Sequence, residues 1–126
     1  MAIIKRVLCP QRLRRVPDQF SWIDHRLVRD RHIAGRSADS LALYLFLVTV
    51  ADGQGLSYYS DPSICRLLPL DASGLARARQ ELLAARLIAY QRPLYQVLAL
   101  DEPAPPRTGQ AMTLGQILQQ AMERKP

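Results

Sequence analysis

The stretch "SDPSICRLLPLDASGLARARQELLAARLI", Ser60 to Ile88, decides the fold of this chain. Ser60 and Asp71 each offer a side-chain oxygen to the free amides of a helical first turn, so the stretch predicts two helices, the first with Pro62 just inside its start. The first helix buries Ile64, Cys65 and Leu68. It stops at Pro69, which lacks the amide hydrogen a continuing helix needs. In the second, Leu75, Ala78 and Leu82 fall at intervals of three and four and make one buried stripe.

Downstream the period changes from helix to strand. "LIAYQ" (Leu87–Gln91) and "LYQVLAL" (Leu94–Leu100) predict a short β-hairpin turning through Arg92 and Pro93. Upstream, "LSYYS" (Leu56–Ser60) suits a small strand. Before it, Ser37 opens a helix in which Leu41, Leu43, Tyr44, Leu45, Phe46, Leu47, Val48 and Val50 are apolar on nearly every side. Such a helix is expected at the centre of its domain. It ends at "ADGQG", where Gly53 and Gly55 supply permissive backbone.

The flanks differ from this middle. Residues 1–19 mix apolar pairs with basic residues and two prolines, Pro10 and Pro17, without a steady period, and read as an extended arm. Phe20, Ile23, Leu27 and Val28, with Trp22 alongside, approach helical spacing and predict a short helix or turn packed on the core. After the hairpin, "DEPAPPRTGQ" is a Pro-rich linker. Thr113 then caps "LGQILQQAMER", whose Leu114, Ile117, Leu118, Ala121 and Met122 repeat as an amphipathic helix. The organisation expected is a basic arm and short helix over 1–36, a folded domain over 37–101, a linker over 102–112 and a C-terminal helix over 113–126.

Bulk composition fits one compact domain with extensions: 126 residues, 48% hydrophobic and 22% charged. No apolar run reaches the ~18 residues that span a bilayer. The first residues lack the sustained apolar core and small-residue cleavage site of a secretory signal, so the cytoplasm is the expected location. Cys9 and Cys65 have no metal-type spacing and read as packing residues rather than ligands or a disulfide.

The charge is uneven. The chain carries a formal net charge of +6, and residues 1–36 hold nine basic side chains against three acidic ones, which accounts for all of it. A segment of that kind attracts phosphate backbones or an acidic partner. Catalysis finds no support: His25 and His32 sit among arginines with no nucleophile, Gly-rich phosphate loop or paired carboxylates beside them. The chain is therefore expected to be non-enzymatic, with no cofactor, metal or small-molecule substrate and no membrane partner.

The segment Ser60–Ile88 resembles the winged helix-turn-helix pattern. Ser60 matches the first cap, Ile64 and Cys65 its apolar-plus-small pair, Leu68 the core residue before the turn, Asp71 the second cap, Leu75 and Leu82 the core of the recognition helix, and Leu87 with Ile88 the entry to the wing. The resemblance covers about Ser37 to Asp101. Together with "FSWIDHRLV" and "SADSLALYLFL" it looks more particularly like the N-terminal modules of plasmid and phage replication initiators. Three positions depart from the pattern: Pro69 and Arg86 stand where glycine is usual, and Arg79 where a bulky apolar residue is usual.

The resemblance implies a mainly α fold with a small β-hairpin, and a sequence-selective protein of double-stranded DNA, either a transcriptional regulator or a replication or transposition accessory factor of a mobile element. Arg77 is expected to pair with guanine and Gln80 with adenine, Ser73 to meet a phosphate or base edge, Arg79 to flank the backbone, and Arg92 to reach out from the wing tip. Lys5, Arg6, Arg12, Arg14 and Arg15 are expected to follow phosphate without reading sequence. The competing reading is a winged-helix docking module. In that reading Leu114, Ile117, Leu118 and Met122 bind a second copy or recruit a larger enzyme.

Overall fold

Ser37 and Asp71 begin the two longest helices, and the packing of one on the other organises the molecule. The structure is a computed structural model and describes residues 3–100. In chain order these form α1 (Arg26–Arg29), α2 (Ala38–Val50), β1 (Leu56–Tyr58), α3 (Asp61–Leu67), α4 (Ala72–Ala84), β2 (Ile88–Gln91) and β3 (Leu94–Val97), with one 3-10 turn at Pro10–Arg12. The architecture is α+β.

Each main helix starts at a side-chain cap. The Ser40 amide donates to Ser37 Oγ at 3.1 Å, the Ser63 amide to Ser60 Oγ at 3.3 Å, and the Gly74 amide to Asp71 Oδ1 at 2.7 Å. These bonds satisfy amides that have no partner within their own helix. Helix α3 stops at Leu67, and Leu68 adopts extended backbone (φ −117°, ψ 151°), the conformation favoured before proline. At the end of α4 the chain turns through Arg86 at φ 60°. Arginine meets a steric cost in that left-handed conformation.

The core joins α2, α3 and α4 to the inner face of the sheet. Leu43, Leu47, Ile64, Leu75 and Leu82 are completely buried, as is Tyr95 from β3. Burying each such aliphatic side chain contributes about 1.5 to 3 kcal/mol. Across the α2–α4 contact, Glu81 accepts from the Ser37 amide at 2.9 Å, and Ser40 Oγ donates to the Ala78 carbonyl at 3.4 Å. The start of α2 is thus fastened to the middle of α4.

The hairpin of β2 and β3 forms as expected, and β1 extends it into an antiparallel sheet of order β1-β3-β2. Leu56 faces Gln96 and Tyr58 faces Leu94, while Tyr90 faces Tyr95 on the other side of β3. Pairing on both sides leaves β3 without a free edge. Gly55 makes the approach of β1 possible: it has φ 83°, and a Cβ there would lie 2.6 Å from the Val97 carbonyl oxygen. Nothing crowds Gly53, so of the two glycines only Gly55 is required by the geometry.

One expectation changes. Helix α1 is a single turn, within the short helix or turn expected, but of Phe20, Trp22, Ile23, Leu27 and Val28 only Leu27 is buried. Asp24 explains this. Its carboxylate accepts from both the Arg26 amide and the Arg26 guanidinium, at 2.6 to 3.1 Å, so the helix begins after Asp24 and leaves residues 20–23 outside it. Those hydrogen bonds to Arg26 hold the Asp24 carboxyl at a pKa of about 2.

Helix α2 is central, as expected: among its large apolar side chains only Leu45 is exposed, and Phe46 and Val48 pack partly buried against the core. Leu43, Tyr44 and Leu47 face the core. No helix among the described residues is long and apolar enough to cross a membrane.

Candidate nucleic-acid interface

Successive residues of a helix are about 100° apart, so burying Leu75, Ala78 and Leu82 turns Ala72, Ser73, Ala76, Arg77, Gln80 and Ala84 of α4 outward. All six are exposed. Arg77 and Gln80 are the only long polar side chains among them. Neither is held by a hydrogen bond or ion pair among the described residues, which leaves a guanidinium fork and an amide presented from a rigid helix.

The start of that face is acidic. Ser73 Oγ donates to Asp71 Oδ1 at 3.3 Å, so the hydroxyl expected at a phosphate or base edge is engaged with the cap. A second carboxylate, Asp39 on α2, places Oδ2 3.4 Å from where a side chain on Gly74 would begin. Hydrogen bonds from the Gly74 amide and the Ser73 hydroxyl, with the Arg77 charge nearby, hold the Asp71 carboxyl below its ordinary pKa. The positive end of α4 is therefore already answered by protein carboxylates. Phosphate contact through this helix terminus is opposed.

Arg79, expected beside a DNA backbone, points the other way. Its Nη1 donates to Asp61 Oδ1 and to the Tyr95 hydroxyl, each at 2.9 Å, and its guanidinium carbon sits 4.5 Å from the centre of the Tyr90 ring. Burial works against its charge, but the Asp61 carboxylate and Tyr95 hydroxyl outweigh that and raise its pKa above the ordinary arginine value. The physical reason is positional. Arg79 follows Ala78 of the buried stripe and is itself mostly covered, so its stem packs inward and its head bridges α3 to the sheet.

Arg92 is exposed in the turn between β2 and β3, as a tip residue must be. Lys5, Arg6, Arg12, Arg14 and Arg15 are exposed too, and none of the five is paired among the described residues. The arm joins the body where Ser21 Oγ donates to the Thr49 carbonyl at 3.1 Å, near the C-terminal end of α2. Helix α4 is fastened near the N-terminal end, at Ser37 and Ser40. At 1.5 Å per residue the two attachments are about 14 Å apart along α2. The fold brings Arg77 and Gln80 together on one face, and roots the arm at the opposite end of the central helix.

Sequence reasoning passed over two features. Arg66 is exposed on α3, its Nη2 donating to Ser63 Oγ at 3.2 Å. Its signal was the wheel position opposite Ile64. The second is a groove of about 620 Å³ lined by Phe20, Trp22, Ile23, Tyr44, Val48 and Leu100. Leu114, Ile117, Leu118 and Met122 lie outside the described residues. Cys9 is exposed and Cys65 half-buried, and no three His, Cys, Asp or Glu side chains gather as a metal-binding group among the described residues. No protein family model, curated protein or solved structure matches this chain.

Proposed function

We propose that this protein binds double-stranded DNA as a winged helix-turn-helix module, with affinity supplied mainly by the arm and selectivity by Arg77 and Gln80. The observation that carries the reading is the separation of the two kinds of polar group. Five basic side chains stand exposed and unpaired on the arm, while the outer face of α4 offers one bidentate guanidinium and one amide among small residues. Phosphate attraction needs charge without geometry, and base reading needs geometry on a rigid support. An arm rooted away from α4 follows the backbone beside the recognition site, and Arg92 at the wing tip adds a flanking contact. The role this suits is a regulator or an accessory to replication or transposition on a mobile element.

A docking module is the second reading. It is favoured by the acidic start of α4 and by arm residues such as Ile3 and Leu8, which are more than four-fifths exposed and do nothing for phosphate contact. Selection from a random duplex pool at two salt concentrations separates the two readings. An enriched motif that persists at the higher salt supports selective binding. Retention without a motif removes the reading role of α4, and no retention at low salt favours docking.

A further inference from the structure

We propose that the groove beside α2 is the seat of this chain's own C-terminal segment, residues 113–126, bound as an amphipathic helix. Tyr44 and Val48 of α2, Phe20, Trp22 and Ile23 ahead of α1, and the residues following β3 line it, together with polar groups such as Gln54 and Gln96. Two of its apolar side chains are without cover: Trp22 is 75% exposed and Phe20 65%. Exposed apolar surface of this kind is stabilised by an apolar partner.

The occupant follows from where the chain goes. Leu100, the last described residue, is itself part of the lining, and 26 residues follow it. Twelve of them separate Leu100 from Thr113, a reach of about 40 Å when extended, well beyond what a groove beginning at Leu100 requires. The segment then presents Leu114, Ile117, Leu118, Ala121 and Met122 on one helical face. A helix of that length is marginal in water unless its apolar face is covered.

Attachment through a short linker gives an effective concentration of order millimolar, which favours this segment over a second copy at ordinary protein concentrations. The carboxylates along the groove are already engaged. Asp24 is held by Arg26, and Asp52 Oδ1 accepts from the Gln54 and Leu56 amides at 2.8 and 2.9 Å. An apolar stripe therefore fits without bringing a counter-charge.

The chain has a single tryptophan, and it is Trp22 in the groove wall. In the full-length protein, the proposal expects blue-shifted Trp22 emission, protection from acrylamide quenching, and no change on dilution. Leu118→Asp should shift the emission to the red, raise quenching several-fold and lower helical circular dichroism by the contribution of one short helix, while Leu118→Met keeps the wild-type signal. Solvent-exposed emission from wild-type Trp22 overturns the proposal without reference to any variant. Emission that changes with protein concentration overturns it in favour of a second copy.

Discussion

The arm and α2 are both rich in large apolar side chains, yet one leaves them in solvent and the other builds the core from them. Residues such as Ile3, Ile4, Leu8 and Val16 are exposed, whereas Leu43 and Leu47 are wholly buried. The difference lies in continuity. Helix α2 runs without proline or glycine from a serine cap, so its side chains fall into fixed faces that α4 and β3 can cover. Pro10 and Pro17 interrupt the arm, and basic residues interspersed among its apolar groups deny it a repeating face that could be buried. Burial follows period rather than apolar content.

Core truncation gives that contrast its largest test. Leu47→Ala should cost about 2 to 5 kcal/mol in urea unfolding, since the site is fully enclosed. Leu8→Ala should stay within about 0.5 kcal/mol of wild type. A substantial loss from Leu8→Ala would mean that the arm packs on the body.

Two arginines on α4 repeat the contrast at closer range. Arg79→Ala should destabilise by about 1 to 3 kcal/mol, because the buried Tyr95 hydroxyl loses its partner and Tyr90 its cation. Arg77→Ala should be nearly neutral for folding. Equal melting temperatures for the two variants would remove the structural role assigned to Arg79.

The smallest effect concerns acid. Asp24, Asp71 and Glu81 all have lowered folded-state pKa values, Asp24 of about 2, through hydrogen bonds from Arg26, from Gly74 and Ser73, and from Ser40 and Ser37 respectively. Because the unfolded carboxyls titrate near ~4, the unfolded state binds more protons below that pH. Their stabilisation is complete above that range and is lost as pH falls toward about 2 for Asp24. Asp71→Asn keeps a capping oxygen without a titrating group, so its melting temperature should fall less steeply below pH ~4 than that of wild type. Parallel profiles would remove Asp71 from the acid response.

Much of this fold could be read in the chain because its signals are local. Ser37, Ser60 and Asp71 cap the helices they were expected to cap, and Pro69 and the Arg92–Pro93 turn stop and reverse the chain where their chemistry requires. The pairing of β1 with β3 depends on Gly55 meeting Val97 across forty residues, and no local pattern carries it. The exposure of Phe20, Trp22 and Ile23 could not be read locally because Asp24 and Arg26 capture each other, an interaction that periodicity does not register. At the candidate site, the outward direction of Arg77 and Gln80 followed from the spacing of Leu75, Ala78 and Leu82. The inward turn of Arg79 depended on Asp61, Tyr90 and Tyr95, three partners on other elements.

The division of labour between arm and helix is tested most directly by salt-dependent binding to an enriched duplex and to a scrambled one. Replacing Lys5, Arg6, Arg12, Arg14 and Arg15 with glutamine should lower the slope of log affinity against log salt by about 4 for both duplexes. Arg77→Ala should weaken only the enriched duplex, by about 1 to 3 kcal/mol, and change the slope by about 1 or less. An unchanged slope in the arm variant, with Arg77→Ala weakening both duplexes alike, would contradict the account.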